Sequence, residues 1–272
     1  MPKSQSLNVY GDSYKPPVVI KIGGTVLEDL SAFWRQVSAI KSPVVIVHGG
    51  GNQSTKLAKQ LGHTPKMIEG RRVTTTLDLQ IAEWVMRGSV NISLVADANI
   101  NGLHAVGLSG VDGRMIEVSR REPWVIDGET VDFGWVGEIT DINTTVIDEL
   151  SDMGFTCIIA PIGSDYTGQR FNINADTVAG SLAEHLDASE LVFVTDTGGV
   201  MKDLSDPSSR LISCSPDDEA DGIEQGWISG GMAVKLTTAR RALNHGVSNV
   251  WITGVNDVFY KINATEIISE EA

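Results

Sequence analysis

Val18-Val19-Ile20-Lys21-Ile22-Gly23-Gly24 decides the reading of this chain. Four β-branched residues around one lysine predict a buried strand, and the glycine pair that closes it predicts a turn with accessible backbone N–H groups. A lysine at the end of a buried strand is costly unless its ammonium meets an anion. The bland alternative is a side chain that snorkels to solvent. Two adjacent glycines favour the first reading, because they let an anion approach the backbone beside the ammonium.

The same pattern recurs at Pro43-Val44-Val45-Ile46-Val47-His48-Gly49-Gly50-Gly51, a second apolar run ending in glycines. His-Gly-Gly-Gly fits neither a Walker A loop nor Gly-x-Gly-x-x-Gly. Three glycines between a strand and a helix still form a nest of N–H donors, with a tight turn as the alternative. His48 receives no role. Working outward, strands are predicted at 18–22, 43–47, 105–108, 157–161, 191–195 and 250–253. Helical patterns cover 52–61, 76–98, 145–153, 176–186 and 232–245. Alternation of this kind predicts an α/β fold with a parallel sheet, whose ligands gather at the carboxyl ends of the strands. Residues 113–139 alternate differently and predict inserted β-hairpins around the turn Asp127-Gly128. Residues 203–209 and 216–221 read as polar loops.

Composition narrows the function. The chain has 272 residues and a net charge of −14, which disfavours nucleic acid and anionic membranes as partners. A few cations in a cleft still serve an anionic substrate, since screening acts within about 10 Å. Two cysteines are too few for a disulfide framework, and Cys157 sits in an apolar strand, where packing is the expected role. No apolar run approaches the roughly 20 residues needed to span a bilayer, and the first 16 residues lack a secretory pattern. A soluble, cytoplasmic protein is expected.

Two further clusters carry chemistry. Gly230-Gly231-Met232 precedes Lys235 on the first turns of a helix, where anions are favoured. Asn172-Ile173-Asn174-Ala175-Asp176 leads into another helix, and Asp176 reads either as a helix cap or as an acceptor for both lysines. Arg71-Arg72 reads as a solvated pair or, with one fork turned inward, as a carboxylate grip. Thr195 to Met201 ends a strand in a glycine-bearing loop, a plain turn or a rest for a nucleotide. Trp227-Ile228-Ser229 would form the opposite wall. No zinc cluster or serine triad pattern is present, so two lysines among glycines point to phosphoryl transfer.

In this order, Lys-Ile-Gly-Gly, His-Gly-Gly-Gly, Gly-Arg-Arg-Val-Thr, Asn-Ile-Asn-Ala-Asp, Thr-Asp-x-x-Gly-Val and Gly-Gly-Met-x-x-Lys resemble the amino acid kinase family over residues 17–267. The resemblance implies an open αβα sandwich around a mainly parallel, roughly eight-stranded sheet. It implies an acyl-amino-acid lobe at 17–175 and an ATP lobe at 176–272, after a polar tail at 1–16. By the same resemblance Lys21 and Lys235 stabilise the transferring phosphoryl group, and Asp176 organises them. Gly50, Gly51, Arg72 and Asn172 would hold the acyl substrate, with Arg72 on its α-carboxylate. Gly23, Gly24, Asp196, Thr197, Gly198, Gly199, Val200, Met201, Trp227, Ile228 and Ser229 would line the ATP site, with Mg2+ carried by the nucleotide. The implied reaction phosphorylates the γ-carboxylate of N-acetyl-L-glutamate in arginine biosynthesis. Alternatives are a sister kinase for N-succinyl-glutamate or carrier-linked aminoadipate, or a non-catalytic kinase-like module. The tail, with Gly11 and Pro16-Pro17, is a poor helix. Arginine-inhibited hexameric members of the family share an extra N-terminal helix, so the resemblance implies a homodimer without arginine feedback here.

Overall fold

The computed structural model describes residues 15–24, 30–68, 71–126 and 128–269. The reading of the polar tail and the first residue of the Asp127-Gly128 turn lie outside them. An 8-stranded sheet forms the centre. Its strands are β1 (Val18–Ile22), β2 (Val44–His48), β3 (Ala105–Ser109), β4 (Thr156–Ala160), β5 (Glu190–Val194), β6 (Ser213–Cys214), β7 (Asn249–Thr253) and β8 (Thr265–Ile267). Their spatial order is β6-β8-β7-β5-β1-β2-β4-β3. Every neighbouring pair is parallel except β7 with β8. The strand order reverses at β1, which pairs with β2 on one side and β5 on the other, so the sheet is continuous across residue 176.

Helices cover both faces. α1 (Ser31–Val37), α2 (Gly51–Gln60) and α3 (residues 76–100) lie on one face; α4 (Thr145–Asp152), α5 (Ala175–His185) and α7 (Gly230–Asn244) lie on the other. Strand alternation decides what each face receives. Val18, Ile20 and Ile22 pack with Phe33, Trp34 and Ile81, whereas Val19 packs with Val178, Leu182 and Leu236. Lys21 therefore points to the α5 and α7 side. Those two helices approach closely because Gly180 has no side chain; a Cβ there would stand 2.3 Å from Thr238 Cγ2.

The inserted segment forms antiparallel pairs, Ile116–Arg120 with Gly137–Ile142 and Trp124–Ile126 with Glu129–Val131, as the alternation predicts. Four elements stand out as departures from the sequence reading. α6 (Pro216–Gln225) replaces the expected polar loop, because Ser215 and Asp218 form a reciprocal capping box with Pro216 in the first turn. β6 at the sheet edge and β8 beside it are two and three residues long, too short for a periodicity to show. α1 is a seven-residue helix whose N-cap position, Leu30, makes no side-chain cap hydrogen bond.

Candidate active site

Parallel strands bring their carboxyl ends to one edge, and the predicted residues collect there. β1 ends at Gly23-Gly24 and β2 at Gly49-Gly50-Gly51, and the two turns abut. The Gly49 amide donates to the Ile22 carbonyl at 3.0 Å, and a Cβ on Gly49 would stand 3.2 Å from the Gly24 nitrogen. Gln53 from α2 donates to the Gly24 carbonyl at 2.9 Å and pins the first turn to the second.

α5 begins at the same edge. Its cap is Asn174, whose Oδ1 accepts from the Asp176 and Thr177 amides at 2.8 and 3.1 Å. Asp176 is thus not the cap, and its carboxylate is released for other partners. Lys21 Nζ lies 2.9 Å from Asp176 Oδ1, and Lys235 Nζ lies 3.4 Å from Asp176 Oδ2. The two lysines come from β1 and α7, and they meet on one carboxylate. Lys235 also donates to the Gly231 carbonyl in the first turn of α7.

Burial makes this cluster unusual. Lys21 is 6% exposed and Asp176 5%. Burial pushes the Lys21 ammonium below the usual lysine range, Asp176 pulls it back up, and Lys235 lowers it again. Removing charges from water costs several kcal/mol per ion, and such a pair is weak support for stability. Two cations crowded on one buried anion, open to a glycine-lined edge, are an arrangement for binding further negative charge.

A cavity of about 360 Å³ opens beside this edge. Gly50, Gly51, Arg72 and Asn172 all line it, so the four residues read as substrate-binding share one space. The connection is built by residues 133–136. The Thr74 amide donates to the Phe133 carbonyl at 2.8 Å, and the Asn172 amide donates to the Trp135 carbonyl at 3.0 Å. This segment ties the chain just after the Arg72 strand to the Asn172 strand, so both border the same cavity. Arg71–Arg72 pairs with Met67–Ile68 as a short hairpin, and the α3 cap one turn later is Thr75, in a capping box with Asp78. α3 passes the cavity with a π-helical stretch, Glu83–Val90, which turns Met86 onto the wall.

Arg72 is held from two sides. Its Nη2 donates to the Gly51 carbonyl at 3.1 Å and to Thr55 Oγ1, and its Nη1 lies 3.7 Å from Asp78 Oδ1. Burial alone would raise the Asp78 carboxyl, but hydrogen bonds from Thr75 and His63 outweigh it and keep the group below its ordinary range. Cavity residues without an assigned role in the sequence reading include Arg71, Arg121, Met86 and Phe133. Arg71 was visible beside Arg72, whereas Arg121 lies in the inserted hairpin segment and received no reading from the sequence.

The loop after β5 closes the other side of the edge. Thr195 Oγ1 accepts from the Gly198 amide at 3.1 Å, Thr197 Oγ1 donates to the Gly199 carbonyl, and Asp196 is exposed. Val200 is fully buried and Met201 is 9% exposed, so both pack inward behind the loop. Ile228 is 2% exposed, Trp227 is half-buried with Lys202 Nζ 5.8 Å from its ring centroid, and Ser229 is exposed. Ser229 precedes α7 without a side-chain capping bond. His48 is buried; its Nδ1 lies 2.8 Å from the Gly49 carbonyl and its Nε2 receives the Asn91 amide at 3.1 Å. Among the described residues no group of three or more His, Cys, Asp or Glu could hold a metal ion, and no helix is long and apolar enough to cross a membrane.

The chain is similar to known proteins over most of its length. The acetylglutamate kinase of Methanopyrus kandleri is 37% identical over 237 residues, spanning 87% of this chain and 94% of that protein. The acetylglutamate kinase of Symbiobacterium thermophilum is 39% identical over 246 residues, spanning 86% and 83%. Among solved structures, N-acetylglutamate synthase from Neisseria gonorrhoeae, complexed with coenzyme A and N-acetyl-glutamate, superposes with a TM-score of 0.77 at 25% identity. The match covers 94% of this chain but only 60% of that longer one. Residues 16–254 match the profile of the amino acid kinase family. The profile match over most of the chain and the identity to these relatives show that the chain belongs to the amino acid kinase family.

Proposed function

We propose that this chain is an acetylglutamate kinase, transferring the γ-phosphoryl group of ATP to the γ-carboxylate of N-acetyl-L-glutamate. The observation that carries this reading is the Lys21–Asp176–Lys235 cluster beside a cavity lined by Gly50, Gly51, Arg72 and Asn172. A carboxylate oxygen attacks the γ-phosphorus, the bond to the β–γ bridging oxygen breaks, and its electron pair leaves with ADP. The product is N-acetyl-L-glutamyl 5-phosphate. Several negative oxygens converge, so the protein's task is alignment and charge stabilisation.

Lys21 and Lys235 stand on the migrating phosphoryl group, and Asp176 holds their ammonium groups in place. Gly24 offers its backbone N–H to the phosphates, as does the first turn of α7, while the Gly23 amide donates to the Val194 carbonyl at 3.1 Å and lets the chain turn beside the nucleotide. The loop Asp196 to Met201 and the segment Trp227 to Ser229 bound the nucleotide, with Val200 and Ile228 as its buried supports. Mg2+ rides on the ATP phosphates, as is usual for an ion that dehydrates reluctantly. Residues 17–175 form the acyl-amino-acid lobe and 176–272 the nucleotide lobe of one sheet.

A homodimer fits the long helix. Trp84 and Ile92 are 54% and 63% exposed, eight residues apart on α3. Trp84→Glu should convert a dimer to a monomer in light scattering; a wild-type monomer would sink the idea.

ADP release from ATP, measured with N-acetyl-L-glutamate, N-succinyl-L-glutamate and a carrier-linked aminoadipate, tests the activity. Turnover is expected with the acetyl compound at the highest kcat/KM. A folded protein that releases no ADP with any of the three would leave the non-catalytic reading standing instead.

A further inference from the structure

The acyl-substrate cavity carries more cationic residues than one substrate carboxylate at Arg72 would use. Arg71, Arg72 and Arg121 all border it, in a chain whose net charge is −14. Their commitments differ. Arg72 spends Nη2 on the Gly51 carbonyl and Thr55 Oγ1 and turns Nη1 toward Asp78. A guanidinium has five N–H donors, so Arg72 acts largely as a strut between the hairpin and α2, with one edge to spare.

Arg121 is held in another way. Its Nε donates to Glu138 Oε1 at 3.1 Å, and among the described residues its two terminal nitrogens make no hydrogen bond. The arginine side chain is 13% exposed, while Glu138 is 47% exposed at the rim. The Arg121 guanidinium carbon lies 5.0 Å from the Trp124 ring centroid, and that of Arg71 lies 4.6 Å from the same ring. Trp124 is braced by an edge-on contact with buried Phe133, centroids 5.4 Å apart, and Phe133 lines the cavity. Stacking fixes the plane of a guanidinium and leaves its N–H edge available, the geometry suited to a carboxylate.

We infer that Arg121, supported by Arg71 on the Trp124 ring, is a further substrate-binding residue for the α-carboxylate. The inference rests on the acylglutamate reading, in which the γ-carboxylate lies at Lys21 and Lys235. The α-carboxylate is then the one anionic group left to reward a second fork. Arg72 adds its spare edge and positions Gly51.

The test compares N-acetyl-L-glutamate with 4-acetamidobutyrate, the same chain without its α-carboxylate. In the full-length Arg121→Met protein, the ratio of kcat/KM values for the two substrates should fall about 30-fold, the scale of one charge-assisted hydrogen-bond set. The loss should appear in KM for N-acetyl-L-glutamate rather than in kcat. Arg121→Lys, which keeps the charge and loses the fork, should restore only part of the ratio. A ratio within twofold of wild type in Arg121→Met would overturn the assignment, even if both activities fell, since that marks a structural role. Wild-type protein that does not phosphorylate N-acetyl-L-glutamate would instead overturn the activity reading beneath it.

Discussion

Asp176→Asn is the sharpest probe of the phosphoryl site, because one atom change removes the charge that two lysines share. Lys21 Nζ stands 2.9 Å from one carboxylate oxygen and Lys235 Nζ 3.4 Å from the other. At an effective dielectric of about 20, these separations correspond to gross attractions of about 6 and about 5 kcal/mol. Asparagine keeps the shape and loses both. Burial and the neighbouring Lys235 already lower the Lys21 pKa, and Asp176 is what opposes them. Without it the Lys21 ammonium gives up its proton at lower pH, and neither lysine is held in place when the phosphoryl group moves. The expected loss in kcat is on the order of 10²- to 10³-fold, as for deletion of one donor in an oxyanion site. The alkaline limb of the kcat profile should also shift toward lower pH. ADP release followed from pH 6 to 9, with circular dichroism melts to confirm folding, reads both effects. A folded variant with kcat within about threefold of wild type and an unmoved alkaline limb would refute the shared-carboxylate reasoning.

Lys235→Ala should lower kcat by about 10²-fold with the fold intact, since Lys235 is only partly buried at the α7 surface; near-normal turnover in a folded variant would remove Lys235 from the chemistry. His48 predicts a pH dependence of stability. Burial pushes its imidazole down to about 4 from 6.5. The folded value lies below the unfolded one, so the unfolded chain binds more protons between these values. Stability is full above pH 6.5 and falls as pH drops toward 4, by about 3 kcal/mol at most. Denaturant midpoints at pH 7 and 5 should differ more in wild type than in His48→Gln; equal slopes would show that other groups set the dependence.

Much of the site was legible because its residues sit where strands end. The spacing of Val18, Ile20 and Ile22 placed Lys21 on a buried strand, and the glycines after β1 and β2 marked the ligand edge before any coordinates. Asn-Ile-Asn-Ala-Asp left a choice between cap and acceptor that only geometry resolves: Asn174 takes the amides, and Asp176 is free for the lysines. α6 was misread because its capping box matters more than its weak apolar pattern. Arg121 was hidden for a different reason. Its function depends on Trp124 and Glu138, contacts set by hairpin pairing, and no local pattern distinguishes a stacked arginine from a solvated one.

Lys21 and Lys235 stand 214 positions apart in the chain and touch a single side chain between them. With the roles proposed for the two lysines, turnover begins only after residue 235 has been synthesised and docked beside the first strand. Such distant pairings are slow to form and leave apolar edges open meanwhile. During biogenesis the protein passes through a stretch in which its sheet is assembling yet it is catalytically silent. Recovery of turnover after denaturation would then report the last long-range contacts to close rather than the return of helices and strands.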